Sequence, residues 1–206
     1  MKQQLTSTYH RLLENTPTDH HRYLFDHSLD KRLCGIIGAR GTGKTTLMLQ
    51  HIKERLGSTN AIYFSADHIV FSQITLFEYI QDQYEIEGLR YFFVDEIHKY
   101  PNWNQELKNI YDSFPDIKLT FSGSSSMDLI KGSYDLSRRA LLYQMAGMSF
   151  REFLLFANGI HLPTYSFDKI LSEHQKISEE LSKIPHLRKL FAEYLSFGYY
   201  PFYFED

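Results

Sequence analysis

Apolar residues recur along this chain in two alternating periods. Leu33 to Ile37 is a short apolar run closed by Gly38, the pattern of a buried strand. From Thr45 to Leu56 a helix is expected, with Met48, Ile52 and Leu56 on one face and Gly57 as its stop. Ala61 to Ser65 reads as a second strand, Gln73 to Gln83 as a helix, and Arg90 to Val94 as a third, strongly aromatic strand. Asn102 is expected to cap the next helix, with Gln105 three residues on as in a capping box. Trp103, Leu107, Ile110, Tyr111 and Phe114 then form one apolar stripe. Ile117 to Phe121 and Leu141 to Met145 read as the fourth and fifth strands. After Ser149 the pattern turns wholly helical, over about Phe150 to Ala157, Asp168 to Lys183 and His186 to Phe197.

Strands alternating with helices predict an α/β fold, a parallel sheet covered on both faces. The expected division is a helical or irregular N-terminal segment over 1–30, an α/β core over 31–158 and a small α-helical region over 159–206. The first segment is polar and His-rich, with Tyr23, Leu24 and Phe25 as its only strong apolar cluster.

Composition narrows the class. With 206 residues, 43% hydrophobic and 23% charged, a disordered or low-complexity chain is excluded and one sound core is affordable. A net charge of -3 argues against a globally basic nucleic-acid binder. Cys34, the single cysteine, has no internal partner and fits a reducing compartment. No apolar run approaches the ~18 residues of a membrane helix. The polar start Met1-Lys2-Gln3-Gln4 holds no signal core, so a cytoplasmic, membrane-free protein is expected.

Gly38-Ala39-Arg40-Gly41-Thr42-Gly43-Lys44-Thr45 matches G-x-x-x-x-G-K-[ST] in full, with a strand before it and an amphipathic helix after. Gly38, Gly41 and Gly43 are expected to permit positive φ and let backbone N–H groups approach phosphate oxygens. The helix N-terminus, through Thr46, adds a favourable dipole. Lys44 would reach the β- and γ-phosphates of ATP, and the Thr45 hydroxyl would ligate Mg2+. Arg40 reads either as a contact to nucleotide or partner, or as a salt bridge.

Tyr91-Phe92-Phe93-Val94-Asp95-Glu96 is an apolar strand ending in two carboxylates, at the edge where open α/β sheets bind ligands. Asp95 would hold Mg2+ and Glu96 would polarise the attacking water. The fourth strand runs into Ser122-Gly123-Ser124-Ser125-Ser126. Ser122 is placed to contact the γ-phosphate or the water; its other reading is a serine turn that caps a following helix. Ten histidines without cysteine-type spacing give no zinc signature, so no metal beyond Mg2+ is expected. His98 reads as a surface or cap residue, or as one that orients a partner loop. Lys183, Arg188 and Lys189 read as a solvated helix face rather than a DNA site.

Taken together these residues resemble the prokaryotic AAA+ ATPases that carry a C-terminal domain of uncharacterised function. The resemblance rests on Asp95-Glu96-Ile97-His98-Lys99-Tyr100-Pro101-Asn102-Trp103 with Leu107-Lys108, on Ser122-Gly123-Ser124-Ser125, and on Arg139-Ala140 with Gly147-Met148-Ser149-Phe150-Arg151-Glu152-Phe153-Leu154. It covers roughly residues 30 to 206. Arg138 stands where the family has glycine before Arg139, and Gly147-Met148 replaces Pro-Leu.

The resemblance implies a P-loop NTPase core with a five-stranded sheet in order 5-1-4-3-2, hydrolysis of Mg-ATP to ADP and phosphate to drive conformational change, and action between subunits of a homo-oligomer. It implies an arginine finger supplied in trans just before the fifth strand, at Arg139 or Arg138. Without it, the pair reads as solvated or salt-bridged. Arg188 falls in the neighbourhood of a second sensor. Family members continue well past residue 206, so the aromatic Tyr199 to Phe204 is expected either to mark a truncation or to meet a partner.

An alternative is a nucleotide-dependent switch or adaptor with negligible turnover that recruits DNA or protein. A small-molecule kinase is the third, against which stand Glu96 and the lack of any lid sequence.

Overall fold

The apolar runs become the strands of one sheet. The computed structural model describes residues 2–27, 29–124, 136 and 139–204. Strands β1 (Leu33–Ile37), β2 (Ala61–Ser65), β3 (Tyr91–Asp95), β4 (Lys118–Gly123) and β5 (Leu141–Gln144) form a sheet in order β2-β3-β4-β1-β5, with every pairing parallel. This is the expected order 5-1-4-3-2, counted from the other edge. β1 is buried at every position, as a central parallel strand requires, whereas edge strand β5 leaves Leu141 and Leu142 exposed.

Helix α1 (Lys2–Glu14) precedes the sheet, α2 (Lys44–His51) follows β1, α3 (Leu76–Glu85) follows β2, and α4 (Trp103–Ser113) follows β3. α2 continues as a π-helical turn over Ile52–Leu56, where the Gly57 amide donates to the Ile52 carbonyl and the chain leaves through a left-handed glycine. α3 packs Tyr79 edge-on to Phe64 of β2, ring centres 4.9 Å apart. In α4 Trp103, Leu107 and Ile110 are buried as the stripe predicts.

Local expectations fail at two helix starts. Asn102 does occupy the N-cap position of α4, but at φ 54 in the left-handed region and with no side-chain cap, so the expected capping box with Gln105 is absent. A capping box forms instead at Thr75 and Glu78 of α3, which begins three residues later than the sequence suggested.

The N-terminal segment is less peripheral than its polarity suggests. Leu5, Tyr9 and Leu13, spaced at i, i+4 and i+8, are buried in the main core, and the Tyr9 hydroxyl donates to the Ala61 carbonyl at 3.1 Å. Full burial of a leucine stabilises by about 1.5–3 kcal/mol, so α1 is a working part of the core.

Two compact units divide between Ala146 and Gly147, not after residue 158 as expected. The reason lies in α5 (Phe150–Asn158), whose rings join the second unit. Phe150 meets Phe191 at 5.0 Å and Phe153 meets Tyr194 at 5.6 Å, both on α7 (Leu187–Phe197). α5 starts from a capping box at Ser149 and Glu152. α6 (Phe167–Ser182) and α7 bury no residue completely.

One buried group sets a pH dependence. His51, at the end of α2, is 2% exposed, its Nδ1 has no hydrogen-bond partner among the described residues, and burial holds its pKa below the usual 6.5 against the opposing pull of Asp30. As pH falls below 6.5, the unfolded chain takes up this proton and the folded chain does not, so stability declines toward acid. Thermal unfolding between about pH 7.5 and 5 should therefore decline more steeply for the parent chain than for His51→Gln. Equal slopes would mean that His51 does not carry the effect.

Candidate functional site

β1 ends at Ile37 and the chain turns through Gly38–Gly43 into α2, with the Leu47 amide closing the first helical turn on the Gly43 carbonyl at 2.9 Å. Gly41 and Gly43 adopt φ of 83° and 90°, conformations that favour glycine. Gly38 is glycine for a different reason: it has no positive φ, but a Cβ there would stand 2.3 Å from the Met145 carbonyl oxygen. The close approach of the chain after β5 dictates that position.

Within the loop, the Thr42 hydroxyl donates to the Ala39 carbonyl at 2.9 Å. The Lys44 ammonium folds back and donates to the carbonyls of Gly38 and Ala39, both at 2.8 Å. Burial lowers the Lys44 pKa, and the nearby Asp95 and Glu96 oppose that shift. Arg40 is exposed at the loop tip, and Thr46 is half-buried in the first turn of α2.

Register places the acids. β3 and β4 pair with Val94 opposite Phe121, so the next residues, Asp95 and Ser122, meet at the carboxyl edge of the sheet. The Asp95 carboxylate is a hub. Its Oδ2 accepts the Thr45 hydroxyl at 2.5 Å and the Tyr63 hydroxyl at 2.8 Å. Its Oδ1 accepts the Ser122 hydroxyl and, at 3.0 Å, the Glu96 amide. Ser122 is fully buried and also accepts the Glu96 amide at 3.3 Å. It stands beside the acidic pair, with its proton committed to Asp95 rather than free for a phosphate oxygen.

Glu96 has left-handed backbone, φ 51, and a part-exposed carboxylate 3.6 Å from both His98 Nε2 and Lys99 Nζ. Lys99 also pairs with Asp67 at 2.9 Å. His98, placed by the 3-10 turn Ile97–Lys99, accepts the Ser124 amide at 3.5 Å, so it bridges the acidic edge and the end of β4.

The structure thus brings together Lys44, Thr45, Asp95, Glu96 and Ser122. It does not bring Arg139 to them. Arg139 pairs with Asp112 through Nε and Nη2, each at 3.2 Å, and precedes β5, whose Leu141 lies opposite Cys34 and Gln144 opposite Ile37. Roughly 13 Å of strand separates the Cys34 level from Gly38 at about 3.3 Å per residue. Arg139 is therefore at the sheet's other end. Arg138, Ser125 and Ser126 lie outside the described residues, and Arg188 is exposed on α7.

Two neighbours of the site carry no signal in the sequence. Tyr63 is one of fifteen tyrosines and reaches Asp95 only because β2 pairs with β3; burial, then the Asp95 charge, raises its pKa. Arg22, buried in the segment before β1, donates to the Thr42 carbonyl from a polar stretch that reads as surface.

The hard oxygen donors at Thr45 and Asp95 converge at the N-terminus of α2, a donor set that fits Mg2+. Among the described residues no group of three or more His, Cys, Asp or Glu forms a further metal cluster, and no helix is long and apolar enough to cross a membrane.

A family model described as an AAA domain matches residues 30–154. The chain is 31% identical over 188 residues to the uncharacterised protein MJ1637 of Methanocaldococcus jannaschii, covering 85% of this chain and 39% of that relative's length. Among solved structures, the S. cerevisiae Hsp104-ADP complex is similar with a TM-score of 0.53 at 17% identity, over 77% of this chain and 28% of that one. This likeness is one of fold. C. elegans PCH-2 aligns with a TM-score of 0.46 at 17% identity, over 95% of this chain and 66% of that one.

Proposed function

Because the chain belongs to the AAA domain family, we propose that it binds Mg-ATP at Gly38–Thr46 and hydrolyses it to ADP and phosphate, driving a conformational change. The observation that carries this proposal is the hydrogen-bonded hub at Asp95, which joins the loop through Thr45 to Ser122 and to the backbone of Glu96.

Thr45 Oγ1 and the Asp95 carboxylate would hold Mg2+, whose charge, when bound, offsets that of the phosphate oxygens. Lys44 exchanges its bonds to the Gly38 and Ala39 carbonyls for the β- and γ-phosphates, so its ammonium arrives already desolvated. Glu96 orients the attacking water and accepts its proton at a carboxylate oxygen. Ser122 acts one step behind, fixing Asp95 and Glu96 against each other.

Arg139 enters as a finger from a neighbouring copy in a homo-oligomer. Its place at the sheet end remote from the loop supports action in trans and argues against a catalytic role within its own subunit. DNA or protein is the class of partner on which the conformational change would act.

A second reading, a switch or adaptor with negligible turnover, is favoured by one observation. His98 and Lys99 both stand beside the Glu96 carboxylate, where they would hold it away from water.

The first test is titration of the chain with a fluorescent ATP analogue. Lys44→Ala should weaken binding about 10- to 100-fold, the worth of charge-assisted hydrogen bonds lost. Absence of binding by the parent chain would overturn both readings.

A further inference from the structure

We propose that Arg22 is a positioning residue that couples the phosphate loop to the junction between the two compact units, an inference that rests on nucleotide binding at that loop. Arg22 is 5% exposed, and its planar guanidinium spans two distant carbonyls. Nη1 donates to Thr42 in the loop, and Nη2 donates to Ala146 at 2.8 Å. Ala146 is the last residue of the first unit.

The chemistry of the peptide bond makes this contact sensitive to the nucleotide. The Thr42 carbonyl and the Gly43 amide belong to one rigid, trans peptide plane, so the C=O and N–H bonds point in opposite directions and turn together. By holding the carbonyl on one side, Arg22 sets the direction of the Gly43 N–H on the other. Any rotation of that N–H toward a phosphate oxygen must move the carbonyl that Arg22 holds.

The far end of the bridge has little slack. On the core side, the Met145 amide donates to the Ile37 carbonyl at 2.7 Å. The Tyr23 hydroxyl donates to the Gln144 carbonyl at 2.6 Å and accepts the Ala146 amide at 3.3 Å. In the second unit, a Cβ on Gly147 would stand 2.2 Å from the Tyr199 ring. The Met148 amide donates to the Tyr199 carbonyl, and the Met148 carbonyl accepts the Tyr194 hydroxyl, both at 2.8 Å. Each flank of the Ala146–Gly147 peptide is thus held within its own unit, by contacts no more than two residues away. A displacement at Thr42 passes through Arg22 to Ala146 and then covalently to Gly147.

The test is amide hydrogen exchange with and without saturating Mg-AMPPNP, followed at residues 38–45 and 145–148 in the same samples. In the parent chain the analogue should slow exchange in both segments, at 145–148 by about fivefold or more, the low end of ordinary site-to-site coupling. Arg22→Met should keep the slowing at 38–45 and lose it at 145–148. Tyr23→Phe loosens the end of β5 without touching Thr42 and should keep both. Should Arg22→Met not fold, Arg22→Lys, which keeps the charge but not the planar fork, serves in its place with the same expected loss.

A parent chain that slows at 38–45 alone would overturn the coupling, as would an Arg22 variant that responds like the parent or a Tyr23→Phe that does not respond. Slowing in neither segment would remove nucleotide binding, and the coupling with it.

Discussion

Glu96→Gln should lower steady-state ATP turnover by about 10²–10⁴-fold, the usual contribution of a positioned general base, while leaving nucleotide affinity close to that of the parent. The two effects separate because of how the residue is built into the site. Its backbone amide, not its side chain, bonds Asp95 and Ser122, so the amide substitution leaves the hub intact. Gln has nearly the same shape and can stay beside His98, but it cannot take a proton from water. Phosphate release and analogue binding, measured on the same preparation, check the prediction. Unchanged turnover would remove Glu96 as base, and an inactive parent that binds ATP tightly would favour the switch.

Arg139→Ala should cost about 10³–10⁵ in turnover if it is a finger delivered in trans. Its pairing with Asp112 does not prevent this. Both partners are partly exposed, with side chains 30% and 48% accessible, and such pairs are worth about 0–1 kcal/mol. Releasing the arginine is therefore cheap beside the transition-state charge it would meet.

The decisive measurement mixes two inactive chains. Glu96→Gln supplies an intact Arg139, and Arg139→Ala supplies an intact Glu96, so one composite site per mixed interface should recover turnover. No recovery on mixing, at concentrations where the parent is active, would overturn delivery between subunits. Turnover per subunit of the parent should rise with concentration for the same reason.

What could be read in advance follows the range of the interaction. β1 and β2 are legible to the residue because each is a short apolar run, the first bounded by Arg32 and Gly38 and the second preceded by Asn60 and ending on Ser65. The phosphate loop was legible because its chemistry is local: backbone conformation at Gly41 and Gly43, one ammonium and one hydroxyl. Tyr63 and Arg22 were not, since the first acts through strand pairing and the second through a contact to Thr42, twenty positions along the chain.

At Gly38 the motif suggests conformational freedom, but the constraint is the Met145 carbonyl, far away in sequence. The Leu5, Tyr9 and Leu13 stripe was obscured by polar residues on the other faces of α1. Asn102 takes the cap position that its residue type predicts but not the cap's conformation, because a capping box needs extended backbone there and here it is left-handed.

The left-handed backbone of Glu96 has a consequence for how this site can change over generations. A side chain in that conformation costs about 1–2 kcal/mol that glycine would not. Replacement by glycine would ease the fold and silence the proposed chemistry in a single step. Robustness and turnover therefore pull on this one codon in opposite directions. A lineage released from the need to hydrolyse nucleotide would be expected to lose its glutamate here early, while retaining the glycines and lysine that bind.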